Sequence, residues 1–329
     1  MVSSDAYSAA RQHAALIDRS DRGRLIVSGA DRASFLQGLL TNDVVALKAG
    51  EGCYAAYLTP QGRMMTDVFV YELGDALLLT VPLEQRELVL TKLDQMVFSE
   101  DVQLGDVTTT FGTLAVVGPA AARLLSGLLS QSADELGGWL PHANRRVQFQ
   151  GHPAILTRII DTGEAGYDVH VERNHLDSLR AALLQAGAVE ADAATIDAIR
   201  IEAGLPKFNR DMDDETIPLE AGIEERAISF SKGCYVGQEV IIRVVHRGHG
   251  RVARKLVGLI FDGVVVPPAG VPVSAAEREM GEVRSSAMSP ALRRPIALAY
   301  LHRDFLAPGT VVSAGGQSAT VVELPFVRR

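Results

Sequence analysis

The chain has 329 residues, of which 47% are hydrophobic and 22% charged, and its formal net charge is −8. This composition is typical of a globular protein of roughly two to three domains. The negative charge disfavours a role in coating nucleic acid, and no run approaches the ~18 apolar residues of a membrane helix.

The N-terminus and the cysteines predict the compartment. The first residues lack the basic start and apolar block of a secretory signal. Cys53 and Cys234 are too few for a disulfide framework, so reduced thiols in the cytoplasm are expected. No CxxC, HExxH or paired-histidine spacing is present in the sequence, and no metal site is predicted.

The first third of the chain predicts a unit of mixed helices and strands. Residues 23–29 form an apolar strand, and a short helix follows. Residues 52–82 form a strand meander with turns at Pro60-Gln61-Gly62 and Gly74-Asp75, and residues 83–98 carry helical spacing. A further strand ends this unit, which we assign to residues 1–110.

The same order of elements recurs between residues 111 and 250. Two successive units of this kind predict an α+β fold built from two ferredoxin-like split β-α-β units. The second unit also includes a helix that ends at Gly204 and Pro206, followed by an acidic irregular segment at 207–226. Loops of that length, about 20 residues, are more often functional than passive.

After residue 250 the helical spacing disappears. Short apolar segments broken by Gly and Pro follow one another to the end of the chain. This pattern predicts a C-terminal β-barrel over residues 251–329.

The segment KGCYVGQE, residues 232–239, is the least generic part of the sequence. It is not a phosphate-binding P-loop, because its lysine precedes the glycines. The residues alone leave two interpretations of Cys234: a buried structural thiol beside a turn, or a reactive thiolate favoured by the charges of Lys232 and Arg243. The β-branched run that follows predicts a strand.

A basic stretch follows this segment. No acidic residue occurs between Val240 and Phe261. The stretch suits a carboxylate or phosphate ligand, or it is a solvated basic face. Its five cations are Arg243, Arg247, Arg251, Arg254 and Lys255.

Several other residues are candidates for ligand contacts. Glu202 and Arg200 lie near the end of one predicted helix, and a carboxylate in such a place can accept hydrogen bonds from an amino-heterocycle. Asp67 lies on a strand after a glycine turn, and Tyr167 lies in a strand after a glycine-rich turn. Each signal alone is also compatible with an ordinary structural residue.

Together these segments resemble the YgfZ family of folate-binding proteins. The resemblance rests on IRIEAGLP, on TIPLEAGIEERAISFSKGCYVGQE, and on the N-terminal LIVSGADRASFLQGLLTNDV and LTPQGRMMTDVFVY. Such proteins are similar to the T-protein, the aminomethyltransferase of the glycine cleavage system. The resemblance implies three domains in a ring around a central folate channel, with a C-terminal barrel.

The resemblance also implies roles for individual residues. Glu202 and Tyr167 match positions that hold the pterin ring, and Arg243 would meet the glutamate tail of the folate. Asp67 matches one of two adjacent aspartates of T-proteins, and Thr66 stands at the other position. The implied cofactor is tetrahydrofolate. The implied catalytic residues are Cys234, Lys232 and Asp67, and the implied folate-binding residues are Glu202, Arg200, Tyr167, Tyr235, Gly237, Gln238, Glu239 and Arg243.

Two functions follow from this resemblance. The first is tetrahydrofolate-dependent support of iron–sulfur cluster assembly or repair, with iron–sulfur client or assembly proteins as partners and an indirect effect on tRNA modification. The alternative is a folate-dependent aminomethyltransferase of the glycine-cleavage type, which rests on Asp67 and Glu202. Direct nucleic-acid binding rests only on the basic stretch and is not expected.

Overall fold

The computed structural model describes residues 2–246, 248, 250–275 and 278–327. The helices are α1 Ser4–Gln12, α2 Arg32–Gln37, α3 Arg86–Asp94, α4 Ala121–Leu129, α5 Ala133–Gly137, α6 Leu176–Gln185, α7 Ala193–Glu202, α8 Pro218–Ala221, α9 Glu224–Ala227 and α10 Gln238–His246. None of the helices within the described ranges is long and apolar enough to cross a membrane.

The strands form two open sheets and one barrel. They are β1 Ala15–Asp18, β2 Arg22–Ser28, β3 Gly52–Leu58, β4 Met64–Glu72, β5 Ala76–Pro82, β6 Gln103–Asp106, β7 Phe111–Val117, β8 Asn144–Phe149, β9 His152–Ile159, β10 Gly166–Glu172, β11 Val189–Glu190, β12 Arg254–Phe261, β13 Pro272–Ala275, β14 Arg278–Ser289, β15 Arg294–His302, β16 Val311–Ala314 and β17 Gln317–Val322.

The two open sheets have the same internal order. The first is β3-β4-β5-β2-β6, and the second is β8-β9-β10-β7-β1-β11. Each strand of the first sheet thus has a counterpart five strands later in the chain, and β1 is inserted between β7 and β11. The predicted duplication of an α+β unit is therefore present in the topology, and the predicted fold class is confirmed.

The inserted strand β1 connects the two sheets. It pairs antiparallel with β7 and parallel with β11, so this N-terminal segment lies in the second sheet. The chain then enters the first sheet at β2 after a turn in which the Arg22 amide donates to the Arg19 carbonyl. The boundary at residue 110, predicted from chain order, assigns residues 15–18 to the first unit. In the structure these residues form β1, which lies in the sheet of the second unit.

The C-terminal strands close into a six-stranded barrel in the order β12-β15-β14-β13-β16-β17. Most side chains of its interior are valine and alanine, such as Val257 and Ala297, and Leu259, Phe261 and Leu301 complete it. The barrel packs against α7 mainly through β14. The helix-poor tail predicted from the sequence is therefore a closed barrel.

The prediction of a strand after residue 239 is wrong. Residues Gln238–His246 form α10, of which Ile241 is fully buried. Val240 lies against the β3–β4 turn, and Val244 and Val245 pack on the core of the first unit. These positions recur at helical spacing, and this packing outweighs the strand preference of β-branched residues.

The glycines of the KGCYVGQE segment have different environments. Gly237 has φ of +83°, and a Cβ atom built there would lie 2.5 Å from the carbonyl oxygen of Thr59. Gly62, in the same β3–β4 turn, would place its own Cβ 2.8 Å from that of Val240. Gly233 has no atom within 4 Å of a built Cβ. Of the two glycines, Gly237 is therefore the one held closely against the β3–β4 turn.

We predict that Gly237→Ala lowers the free energy of unfolding by roughly 2 to 3 kcal/mol, because a left-handed backbone is unfavourable for alanine and the added Cβ meets backbone. Gly233→Ala is the matched control and should change stability by less than about 0.5 kcal/mol. Urea denaturation followed by circular dichroism measures both. Equal midpoints for the two variants would contradict the close approach.

Candidate functional site

A cavity of about 390 Å³ lies where the two sheets, α7 and the segment after it come together. Side chains from both α+β units line it, so it depends on the duplicated architecture. The lining residues are Ile17, Asp18, Arg19, Ser20, Asp21, Arg22, Tyr54, Asp67, Phe69, Asp161, Thr162, Ala191, Ala193, Ile196, Asp197, Arg200, Leu205, Pro206, Lys207, Arg210 and Arg226.

The first sheet contributes an aromatic wall with one carboxylate. Tyr54 on β3 and Phe69 on β4 are cross-strand partners, and their ring centroids lie 4.9 Å apart. Asp67 lies two residues before Phe69 and therefore on the same face of β4. The Tyr54 hydroxyl donates to Asp67 Oδ2 at 3.1 Å.

The other carboxylate oxygen of Asp67 has no hydrogen-bond donor among the described residues. Arg22 Nη1 lies 3.8 Å from Asp67 Oδ1, too far for a hydrogen bond. Burial raises the pKa of Asp67, and the charge of Arg22 counteracts this only in part. A buried oxygen without a donor is rare in proteins, and this one lines a cavity. It is therefore a place for a donor group of a ligand.

The second unit contributes an ion-pair cluster centred on Arg19. Its guanidinium lies 2.6 Å from Asp161 Oδ2 and 3.4 Å from Asp168 Oδ1. Burial favours a raised pKa for both acids, but Arg19 and Arg22 outweigh it at Asp161 and lower the pKa there. At Asp168 burial prevails and raises the pKa to about 6. Two neighbouring carboxylates therefore favour different protonation states.

Helix α7 and the following loop form the remaining wall. Arg200 bonds to Asp211 at 2.7 Å and to Asp197 at 3.2 Å, and it lines the cavity as well as being buried. Lys207 pairs with Asp21 at 2.8 Å, and both of these lining side chains are partly exposed. Of the acidic segment predicted to be functional, Lys207, Arg210 and Arg226 reach the lining.

Glu202 does not line this cavity. It is fully buried, and its carboxylate accepts hydrogen bonds from Tyr7, Arg11, Ser289 and the Ala291 amide. These donors come from α1 and from the barrel, on the side of α7 away from the lining. Every partner is part of the protein, so the carboxylate joins α1, α7 and the barrel, and its predicted contact with a pterin ring has no support from its position.

Tyr167 also lies outside the lining. Its side chain is fully buried in the core of the second unit, and its hydroxyl donates to the Leu136 carbonyl at 2.6 Å. Trp139 and Arg158 cover its ring. The next residue, Asp168, faces the opposite side of β10. It lies outside the lining as well, but it contacts Arg19, which lines the cavity.

The side chain of Lys232 is hydrogen-bonded within the protein. Its ammonium group donates to the carbonyls of Gln37, Leu40 and Asn42 at 2.7 to 2.8 Å, which uses all three donors. Burial lowers its pKa to about 8. The thiol near Lys232 is that of Cys53, which is buried. Burial raises the pKa of Cys53 to about 12, and the charge of Lys232 counteracts this only in part. Cys234 is exposed and lies outside the cavity lining.

The rest of the KGCYVGQE segment also lies outside the lining. Tyr235 is buried in the core of the first unit, and Gln238 begins α10. Glu239 and Arg243 are exposed on that helix, 3.5 Å apart. The predicted folate contacts of Tyr235, Gly237, Gln238, Glu239 and Arg243 therefore have no support from their positions.

Three cations of the basic stretch have an acidic neighbour in the structure. Arg254 pairs with Glu220, and Lys255 lies 3.8 Å from Glu224. Arg247 and His249 lie outside the described residues. Arg243 lies beside Glu239, which directly precedes the stretch, and Arg254 is paired with Glu220, which lies further back in the chain.

Sequence reasoning found Asp67 and Arg200 and missed most of the lining. Tyr54 is predictable from the sequence, because the turn at residues 60–62 predicts a hairpin that brings β3 beside β4. Arg19, Arg22 and Asp161 carry no local signal, since their significance lies in contacts between segments more than 40 residues apart.

The protein therefore has a duplicated α+β body that encloses a cavity lined by both acids and bases, and a C-terminal barrel follows this body. Residues 2–232 match the GCVT N-terminal domain, and residues 254–328 match the glycine cleavage T-protein C-terminal barrel domain. The chain therefore belongs to the glycine cleavage T-protein family.

Relatives and one solved structure support this assignment. The chain is 34% identical to an aminomethyltransferase of Rubrobacter xylanophilus, covering 98% of this chain and 86% of the relative. It is 32% identical to an aminomethyltransferase of Streptomyces avermitilis, covering 99% and 89%. The crystal structure of glycine cleavage system aminomethyltransferase T from Bartonella henselae has a TM-score of 0.89 at 23% identity, covering 98% and 89%, and shows the same fold.

These comparisons correct the main functional prediction. The expectation of a protein that supports iron–sulfur cluster assembly is wrong, because relatives over nearly the whole chain are named aminomethyltransferase. Iron–sulfur partners and an effect on tRNA modification find no support in them either. The resemblance is confirmed for the T-protein-like family, whose members bind tetrahydrofolate as substrate or cofactor.

The raised pKa of Asp168 predicts a pH-dependent contribution to stability. Because the folded protein favours the protonated acid, the wild type loses stability as pH rises from the unfolded pKa of about 4 to the folded value of about 6. Asp168→Asn lacks this titration. Its unfolding free energy relative to wild type should therefore rise by roughly 1 to 3 kcal/mol between pH 4 and pH 7.

Urea denaturation at four pH values between 4 and 7.5 measures this difference. Asp75→Asn, at an exposed acid paired with Arg146, is the control and should give a nearly constant difference over the same range. A constant difference for Asp168→Asn would contradict the raised pKa.

Proposed function

We propose that the protein transfers a one-carbon unit from an aminomethyl donor to tetrahydrofolate, as an aminomethyltransferase of the glycine-cleavage type. The observation that carries this proposal is the free oxygen of buried Asp67 beside the Tyr54 and Phe69 rings in the cavity. The names of the relatives over nearly the whole chain favour the same activity.

The lining fits a reduced folate. A volume of about 390 Å³ lies within the usual range of small-molecule sites, roughly 300 to 1,000 Å³. A pterin ring is flat and carries N–H donors, which match an aromatic wall and carboxylate acceptors such as Asp67 and Asp161. A glutamate tail carries carboxylates, which match arginine and lysine side chains at the lining.

Thr66 does not weaken the proposal. It stands where the resemblance predicts a second aspartate, but it lies on the opposite face of β4 from Asp67. Its side chain is fully buried, and its hydroxyl donates to the Asp67 carbonyl. A carboxylate at that position would therefore not enter the cavity, so the exchange leaves the cavity chemistry in place.

The reaction needs a group that moves protons at the folate nitrogens. When an aminomethyl thioether donates its methylene carbon, the C–S and C–N bonds break and two C–N bonds to folate form. The products are methylene-tetrahydrofolate, ammonia and the free thiol, and the two N–H protons of the folate pass to the leaving groups. We assign this proton exchange to Asp67, and burial, which raises its pKa, favours that role. Tyr54 holds this carboxyl in position.

The narrower likeness to the YgfZ branch stays a prediction, and it rests on residues 232–239. The cytoplasmic location also stays a prediction that rests on the two unpaired thiols, Cys53 and Cys234.

We predict that Asp67→Asn lowers the rate of methylene-tetrahydrofolate formation from an aminomethylated lipoyl carrier by about 100-fold, because general acid–base catalysis contributes roughly 10²- to 10⁴-fold. Binding of tetrahydrofolate should weaken by less than about tenfold, since asparagine keeps one acceptor. Single-turnover kinetics and calorimetric titration measure these two quantities.

Thr66→Ser, at the adjacent residue on the opposite face, is the matched control and should react as the wild type does. A wild-type protein that binds tetrahydrofolate without any turnover would sink the proposed activity. An Asp67→Asn variant with the full rate would remove Asp67 from the mechanism.

A further inference from the structure

The charges that line the cavity are unequal. Six cations and five carboxylates of the described chain line it. Five of the cations have a carboxylate oxygen within 4.0 Å of a side-chain nitrogen. The remaining cation is Arg226, for which no described carboxylate lies within that distance. The excess positive charge of the lining is therefore located at one residue.

Arg226 is held in place without an ion pair. Its guanidinium lies over the Tyr54 ring, with Cζ 5.3 Å from the ring centroid. Its backbone carbonyl accepts a hydrogen bond from Asn42 at 3.1 Å, which anchors α9 to the first unit. The stacking orients the planar guanidinium and leaves its N–H groups available, since no described residue accepts a hydrogen bond from them.

Arg226 lies close to the Tyr54–Asp67 pair that the proposed reaction uses. Burial raises the pKa of Tyr54 and of Asp67, and the charge of Arg226 counteracts this in part. Arg22 lies over the other aromatic ring, with Cζ 5.0 Å from the centroid of Phe69. Unlike Arg226, it also donates a hydrogen bond to the Thr80 carbonyl and lies 3.8 Å from Asp67. The two arginines therefore differ: the guanidinium of Arg22 has a hydrogen bond and an ion pair, whereas that of Arg226 has neither with any described residue.

We infer that Arg226 is a specificity-determining residue that binds a carboxylate of the substrate. Guanidinium groups bind carboxylates through paired, charge-assisted hydrogen bonds. The inference rests on the proposed function, because it assigns an anion-binding role to that same cavity. Two sources supply such a carboxylate: the glutamate tail of tetrahydrofolate, or an acidic group on the one-carbon donor.

Calorimetric titration with tetrahydrofolate and with tetrahydropteroate, which lacks the glutamate, separates these sources. Arg226→Gln should weaken tetrahydrofolate binding by about 10- to 100-fold and leave tetrahydropteroate binding unchanged if the tail is the source. Arg226→Lys should recover part of the loss, because it restores the charge without the paired geometry. If the donor is the source, both folates bind Arg226→Gln normally and the KM for the aminomethylated carrier rises about tenfold or more.

Arg63→Gln is the control, at an exposed arginine paired with Glu215 outside the lining. Urea denaturation shows whether each variant is folded. An Arg226→Gln variant with wild-type affinity for both folates and a wild-type KM overturns the inference. So does loss of tetrahydrofolate affinity in Arg243→Gln when Arg226→Gln keeps both its tetrahydrofolate affinity and a wild-type KM for the carrier. A wild type that binds neither folate contradicts the proposed function itself, which is a separate outcome.

Discussion

The short crossover from β1 to β2 connects the two α+β units at the cavity through two buried arginines. Within four residues the chain leaves the second sheet at Asp18 and enters the first at Arg22. Arg19 turns to Asp161 and Asp168 of the second unit, whereas Arg22 turns to Asp67 and the Thr80 carbonyl of the first. Both arginines are buried, so losing either partner would leave an uncompensated charge at the cavity. The relative position of the two units at the cavity depends on these pairs.

Much of the architecture is readable from the sequence, and the site is readable only in part. The repeated order of strands and helices and the helix-free tail are local patterns, and both predict the observed fold. Asp67 follows a turn that marks its hairpin, so its strand is predictable. Glu202 looked available because helix periodicity places it at the edge of a buried stripe. Contacts from α1 and the barrel, far away in the chain, determine that it is buried and fully bonded.

The KGCYVGQE segment shows how a distinctive sequence can have a structural origin. Lys232 binds three carbonyls of the loop after α2, and Gly237 permits the approach of the β3–β4 turn. These two contacts fasten the start of α10 to the first unit, close to the hairpin that carries Tyr54 and Asp67. The segment therefore supports the hairpin that carries one wall of the cavity. This packing accounts for Lys232 and Gly237, whereas Cys234 is exposed.

The most direct test of this account is a crystal structure of the protein with tetrahydrofolate bound. We predict that the pterin ring lies in the cavity between the two units, against Tyr54 and Phe69, with a ring donor bonded to the free oxygen of Asp67. A folate bound instead along residues 228–246, with contacts to Cys234 and Arg243 and none to Asp67, would contradict it.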